Sequence, residues 1–175
     1  MRQLKLFIAT SLDGFIAGQQ GEIDWLFTDQ DYGYKNFYQS IDTTLIGNQT
    51  YQQILGFGEF PYPDKTNYVF TRHPTNKDSK TIKFITGNLI DFVKSLKRQP
   101  GKDIWLVGGG QINTIMHNAG LIDEIILSIH PIVLGNGISL FTDEAKQTDF
   151  KTVNCQTFDT GLVQWTLQVT KSDFD

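Results

Sequence analysis

The sequence predicts an α/β protein in which a central, mostly parallel sheet of about eight strands is flanked by four helices and ends in an antiparallel hairpin. Three observations predict it. Short, nearly continuous apolar runs such as Leu4 to Thr10 and Asp103 to Val107 suit strands buried on both faces. Stretches with apolar residues at helical spacing alternate with these runs. In the last quarter Val163, Trp165, Leu167 and Val169 alternate with Gln164, Thr166, Gln168 and Thr170, the period of a half-exposed strand.

Taken in order, Leu4 to Thr10 stops at the Ser11 to Gly14 turn and reads as a central strand. Asp29 to Ile41 sets Tyr34, Phe37, Tyr38 and Ile41 at i, i+3, i+4 and i+7, which predicts an amphipathic helix capped by Thr28 or Asp29. Thr43 to Ile46 is a short strand ending at Gly47, and Asn48 opens a helical stretch carrying Tyr51, Ile54 and Leu55. The loop from Gly56 to Lys65 holds two glycines and two prolines and leads into a strand from Asn67 to Thr71, with Arg72 and His73 at its far end. A strand from Thr81 to Thr86 precedes a helix capped by Asn88, with Leu89, Phe92, Val93 and Leu96 on its buried face, ended by Pro100 and Gly101. Gly108, Gly109 and Gly110 then join the strand Asp103 to Val107 to a helix lined by Ile112, Ile115, Met116 and Ala119. Asp123 to His130 is a strand running into Pro131, and Lys151 to Phe158 pairs with the last strand across Asp159, Thr160 and Gly161. Without a linker, repeat or low-complexity tract, residues 1–175 read as a single domain.

With 39% hydrophobic residues and 13% aromatics, 175 residues can build a sizeable core. A net charge of −4 argues against nucleic acid or an anionic membrane as partner, because both need a basic surface, and favours a small molecule. Cys155 is the one cysteine, so neither an internal disulfide nor a cysteine-rich zinc cluster can form, and a cytoplasmic location is expected. The apolar N-terminal run is broken by Asp13 and Gly14, too early for a signal sequence, and no stretch reaches the ~20 apolar residues of a membrane span. His73, His117 and His130 are too scattered for a metal site, and no G-x-S-x-G elbow is present.

The chemistry concentrates in the turns. A diphosphate needs several backbone N–H groups at close range, and glycine permits both the sharp turn and the approach, so Gly108 to Gly110 at a helix N-terminus are suited to a dinucleotide. Close strand–helix packing is the other reason for glycines here. Asn113 stands where the last glycine of G-x-G-x-x-G would be, and the motif comes late in the chain, so the ordinary Rossmann fingerprint does not fit. Gly47, Asn48 and Thr50 form a second helix N-terminus, either a phosphate site or a plain cap. Thr71 and Arg72 at a strand end could bind a ribose 2′-phosphate and so select NADPH; a solvated arginine is the alternative. Asp13 is the candidate for proton handling, or merely a turn residue, and Asp24 with Trp25 could anchor and stack a substrate ring.

SLDGFIAG (11–18), IDW (23–25), TTLIGNQTY (43–51), VFTR (69–72) and LVGGGQINTIMHNAGLIDEIILSIHPIVLGNGISLF (106–141) together resemble the dihydrofolate reductase-like superfamily, in particular the reductase domain of riboflavin biosynthesis. The resemblance spans nearly the whole chain and implies NADPH-dependent reduction of a small heterocycle, foremost that of 5-amino-6-(5-phosphoribosylamino)uracil. A dihydrofolate-type or broad-specificity reductase and a non-catalytic NADPH-binding protein are the alternatives. It implies Ala9 and Ile16 beside the nicotinamide, Asn48 and Thr50 on phosphate or ribose, and Thr71 and Arg72 on the 2′-phosphate. Gly109, Gly110, Gln111 and Ile112 would flank the pyrophosphate, and a homodimer is expected. The chain departs from those relatives at two substrate positions, with Gln30 where folate reductases carry an acid and Gly108 where the riboflavin domain often carries a glutamate.

Overall fold

The computed structural model describes residues 1–73 and 78–170. Its main sheet has eight strands in the order β5-β4-β3-β6-β1-β7-β10-β9. These are β1 (Leu4–Thr10), β3 (Ile41–Gly47), β4 (Thr66–Phe70), β5 (Ile82–Ile85), β6 (Asp103–Gly108), β7 (Glu124–Ile129), β9 (Phe150–Thr157) and β10 (Val163–Val169). From β5 to β7 all neighbours run parallel; β10 is antiparallel to both β7 and β9, the expected hairpin. A separate two-stranded sheet, β2 (Phe15–Ala17) with β8 (Ile138–Ser139), has strands too short for the sequence pattern to announce.

Alternation along the strands builds a core on each face of the sheet. Leu4 and Leu6 of β1, Leu45 of β3 and Ile104 and Leu106 of β6 pack with Val93 and Leu96 of α3 (Leu89–Arg98) and Met116 of α4 (Gly110–Asn118). On the other face Ile41, Ile46, Val69 and Trp105, joined by Phe7, meet Phe37 of α1 (Tyr34–Ser40) and Tyr51 of α2 (Asn48–Gly56). Asn88 caps α3 as expected, its side-chain oxygen accepting from the amides of Ile90 at 3.1 Å and Asp91 at 3.2 Å.

Helix α1 corrects the expected Asp29–Ile41 span. Tyr32 (φ 49°) and Gly33 (φ 82°) adopt left-handed conformations that break a helix begun at Asp29. Asp29 instead accepts a hydrogen bond from the Tyr32 hydroxyl at 2.6 Å, and Asp31 takes up the Lys35 amide at 3.0 Å. At the other end Ile41 is already the first residue of β3.

Two buried polar side chains hold the segments that later frame the site. Asn67 is fully buried; its amide donates to the carbonyls of Tyr62 (3.0 Å), Lys65 (2.9 Å) and Thr81 (3.0 Å), and its oxygen accepts from the Thr44 hydroxyl (2.7 Å). This one side chain fixes the loop ahead of β4. His130, at the end of β7 and 3% exposed, accepts the Phe27 amide at 3.1 Å through Nε2, between the rings of Trp25 and Phe27. That acceptor role requires a neutral imidazole, and burial pushes its pKa below the usual 6.5.

Asn67→Leu removes four side-chain hydrogen bonds, although the Thr81 and Tyr62 carbonyls keep the main-chain amides of Asn67 and Lys65, so a loss of about 3 kcal/mol is expected, read as a lower urea midpoint at unchanged slope. For His130 the unfolded chain takes up a proton below about pH 6.5, where the folded protein still resists it. Its contribution is therefore complete above that pH and is lost as pH falls towards the depressed folded value. Urea midpoints between pH 7.5 and 5.5 should fall more steeply for the wild type than for His130→Gln; parallel curves would remove His130 from the account.

Candidate functional site

A cavity of about 1090 Å³ opens at the carboxyl ends of β1, β3, β4 and β6 and continues over the α1/α2 face of the sheet. At its strand-end side two helices begin next to one another, because β3 and β6 are parallel neighbours that pair Ile46 with Gly108. Gly47 precedes α2 and Gly109 precedes α4; neither N-terminus has a side-chain cap, whereas α3 has Asn88. The first-turn amides of α2 and α4 thus remain available to a ligand, with the positive ends of both helix dipoles behind them.

The three glycines differ in what they serve. Gly108 sits at φ +107°, and a Cβ there would lie 3.1 Å from Asn113 Oδ1; a Cβ on Gly110 would lie 2.3 Å from the Ser139 carbonyl oxygen of β8. Internal packing therefore demands both. Gly109 is different, since its missing Cβ would meet Thr50 Oγ1 at 3.2 Å and Ile16 Cδ1 at 3.7 Å, both of which line the cavity. Gly47 belongs to the same junction, with Ile112 Cγ1 at 3.1 Å and the Gly108 carbonyl at 3.3 Å from its would-be Cβ. The Gly108–Gly109 peptide is cis.

Of the sequence-predicted positions, Ala9, Ile16, Gly47, Asn48, Thr50, Thr71, Arg72, Gly109, Gly110, Gln111 and Ile112 all line this one cavity. Arg72 is exposed and enters no ion pair with a described residue. Four others lie elsewhere: Gly108, expected on the cofactor's phosphates, faces Asn113 and does not line the cavity, and neither do Asp13, Asp24 and Trp25. Asp13, expected to be catalytic, is exposed, and its carboxylate accepts from the Ser11 hydroxyl (2.6 Å) and the amides of Leu134 (3.1 Å) and Gly135 (2.8 Å). The Ser11 hydroxyl, followed by those amides, lowers its pKa, so it clamps two loops as a carboxylate. Asp24 is exposed outside the cavity, and Trp25 leans on His130 while its indole N–H donates to the Glu22 carbonyl at 3.2 Å. Their neighbours Ile23 and Leu26 are the residues of that segment that line the wall.

Sequence reasoning missed the aromatic half of the cavity. Phe7, Tyr34, Tyr62 and Trp105 line it, with Tyr62 and Trp105 4.9 Å apart and Tyr34 and Trp105 5.9 Å apart between ring centres. Phe7 and Trp105 could have been found by alternation, as the bulky residues on the strand face opposite Leu6, Ile104 and Leu106. Tyr62 had no such signal, since it comes from the proline-containing loop. Gln30 is exposed, hydrogen-bonded to Asp29 at 3.3 Å, and does not line the cavity. Among the described residues no group of histidine, cysteine, aspartate and glutamate is placed to hold a metal, and no helix is long and apolar enough to cross a membrane.

Residues 2–164 match the family model of the RibD C-terminal domain. The chain is 42% identical over 175 residues to the Bacillus subtilis protein YyaP, named as uncharacterized, with 93% of each chain covered. A crystal structure from Shewanella sp. PV-4, named provisionally as a riboflavin biosynthesis protein, superposes with a TM-score of 0.85 at 26% identity, covering 97% of this chain and 99% of that one. Dihydrofolate reductase from Enterococcus faecalis, solved with NADP(H), shares the fold at a TM-score of 0.68 and 16% identity, with 97% of each chain covered. With its glycine junction, eight-stranded sheet and C-terminal hairpin, the chain belongs to the RibD C-terminal domain family and has the dihydrofolate reductase-like fold.

Proposed function

We propose that this protein is an NADPH-dependent reductase of a small heterocyclic compound. The observation that carries the reading is the pair of uncapped helix N-termini, α2 and α4, opening side by side onto one cavity beside the Cβ-free Gly109. Membership of a family of reductase-type domains supports it. The amides of Gly109 to Ile112 would receive the diphosphate, with Gly47, Asn48 and the Thr50 hydroxyl on its other side. Thr71 and Arg72 would take the 2′-phosphate, and Ala9 and Ile16 would flank the nicotinamide. When bound, NADPH supplies a hydride to a C=O or C=N carbon. The chain's own part is to hold the two rings in contact and to keep the aromatic half dry. Asp13 is committed to the 134–135 amides, so the proton enters from solvent at the cavity mouth. A homodimer through the exposed strand β9 and Trp165 is part of the same proposal.

Family membership makes the phosphoribosylated pyrimidine of riboflavin biosynthesis the first substrate to assay. For the cofactor, Arg72→Ala should weaken NADPH binding about tenfold and leave NADH within about twofold, measured by calorimetry, because only NADPH offers the 2′-phosphate to the guanidinium. Equal losses for both nucleotides would remove Arg72 from that role. Failure of both NADPH and NADH to bind the wild type at millimolar concentration would end the reductase reading.

A further inference from the structure

The aromatic half of the cavity is electrically neutral. Among the described lining residues the ionisable side chains other than tyrosine are Arg72, His73 and Asp143. Arg72 and His73 follow the carboxyl end of β4. Asp143 follows Thr142, whose amide donates to Thr114 Oγ1 of α4 at 2.8 Å, on the opposite face of the sheet. Of the charges near the aromatic wall, Asp64 is paired with a lysine and Asp31 takes a main-chain amide, and, after burial itself, both carboxylates help to keep Tyr34 neutral. Asp64 accepts the Tyr38 hydroxyl and pairs with Lys65 at 3.0 Å, and Lys65 Nζ lies 4.0 Å from the Tyr38 ring centre. Asp31 is held by the Lys35 amide. None of these five residues, Asp31, Lys35, Tyr38, Asp64 and Lys65, lines the cavity.

Two polar groups are left over in that half. Tyr34 and Tyr62 both line it, Tyr62 is 9% exposed, and neither hydroxyl is hydrogen-bonded to a described residue. By contrast, the Tyr32 hydroxyl outside the cavity has Asp29 at 2.6 Å. Tyr34 is the more exposed of the two at 36%, and a cavity-lining phenol with no partner inside the protein is free to donate to an acceptor that a ligand brings. Burial also raises the pKa of both phenols, so they remain neutral donors.

We propose that this half of the cavity takes an uncharged, planar ring carbonyl or ring imine, to whose oxygen or nitrogen Tyr34 and Tyr62 donate, and that it rejects phosphorylated or carboxylated compounds. The inference rests on the reductase reading for the position of the reacting ring. Phe7 and Trp105 present aromatic surface on which such a ring gains dispersion and stacking energy. A phosphate or carboxylate brought there would shed its water and meet no cation, a cost that aromatic contact does not offset.

The test is calorimetry with quinoxalin-2(1H)-one, a neutral bicycle with a reducible C=N bond, and with its 6-carboxylate, both with NADP⁺ present and without it. The neutral probe should bind at least about tenfold more tightly than the carboxylate. Tyr62→Phe should weaken the neutral probe about fivefold while NADPH affinity stays within about twofold, and Tyr34→Phe/Tyr62→Phe should weaken it further. Tyr34→Arg, which adds the missing cation, should shift preference towards the carboxylate. Equal affinities, a preference for the carboxylate, or no binding of either probe overturns the proposed substrate class. Unchanged binding in the double phenylalanine variant overturns the donor role. Loss of NADPH binding while the neutral probe still discriminates against its carboxylate would strike the cofactor reading and leave the neutral site standing.

Discussion

The site depends on the approach of backbone to backbone where β3 and β6 end. Two parallel neighbours finish within a residue of each other, each turns into a helix, and the turns are so close that a Cβ on Gly47 would press on Ile112 and the Gly108 carbonyl. A third element, β8, presses on the same junction through the Ser139 carbonyl, leaving no volume for a side chain at Gly110. Side chains are excluded there by packing, and as a consequence the first-turn amides of α2 and α4 face the cavity uncovered. The packing reason for glycine and the ligand reason thus apply to different members of one triplet: Gly108 and Gly110 serve the fold, and Gly109 lies beside Thr50 and Ile16 in the cavity wall.

Much of this was legible in the sequence because its signals are local. Strands with continuous apolar runs, the Asn88 cap and the glycine turn follow from propensity and capping chemistry that do not need the rest of the chain. The length of α1 did not, since the left-handed Tyr32 and Gly33 override a sound apolar period with a backbone conformation the period cannot report. Strands β2 and β8 were invisible for another reason: at three and two residues they are specified by the closing of loops around the junction, not by alternation.

The division is sharper within the site. The turns that line the cavity at Gly47 and Gly109 were legible because backbone turns are marked by glycine and by residues at strand ends. Asp13 and Asp24 misled because an exposed carboxylate after an apolar run has the same sequence appearance whether it faces a cavity or clamps a loop. Only its partners, the Leu134 and Gly135 amides more than a hundred residues away, decide the case for Asp13. Tyr62 shows the converse: a loop residue with no pattern of its own becomes part of the cavity wall because Asn67, five residues on, holds its carbonyl from inside the fold.

These two kinds of construction have different consequences for specificity. An anion-binding turn made of main-chain amides depends on the backbone path more than on side-chain identity, provided the glycines remain. An opposite wall made of Phe7, Tyr34, Tyr62 and Trp105 is all side chain, supplied by β1, α1, the loop before β4 and β6. A change of charge among them would alter which ring the wall favours. In this chain that wall offers phenols and aromatic faces, while nearby Asp64 is paired with Lys65 and Asp31 accepts a main-chain amide.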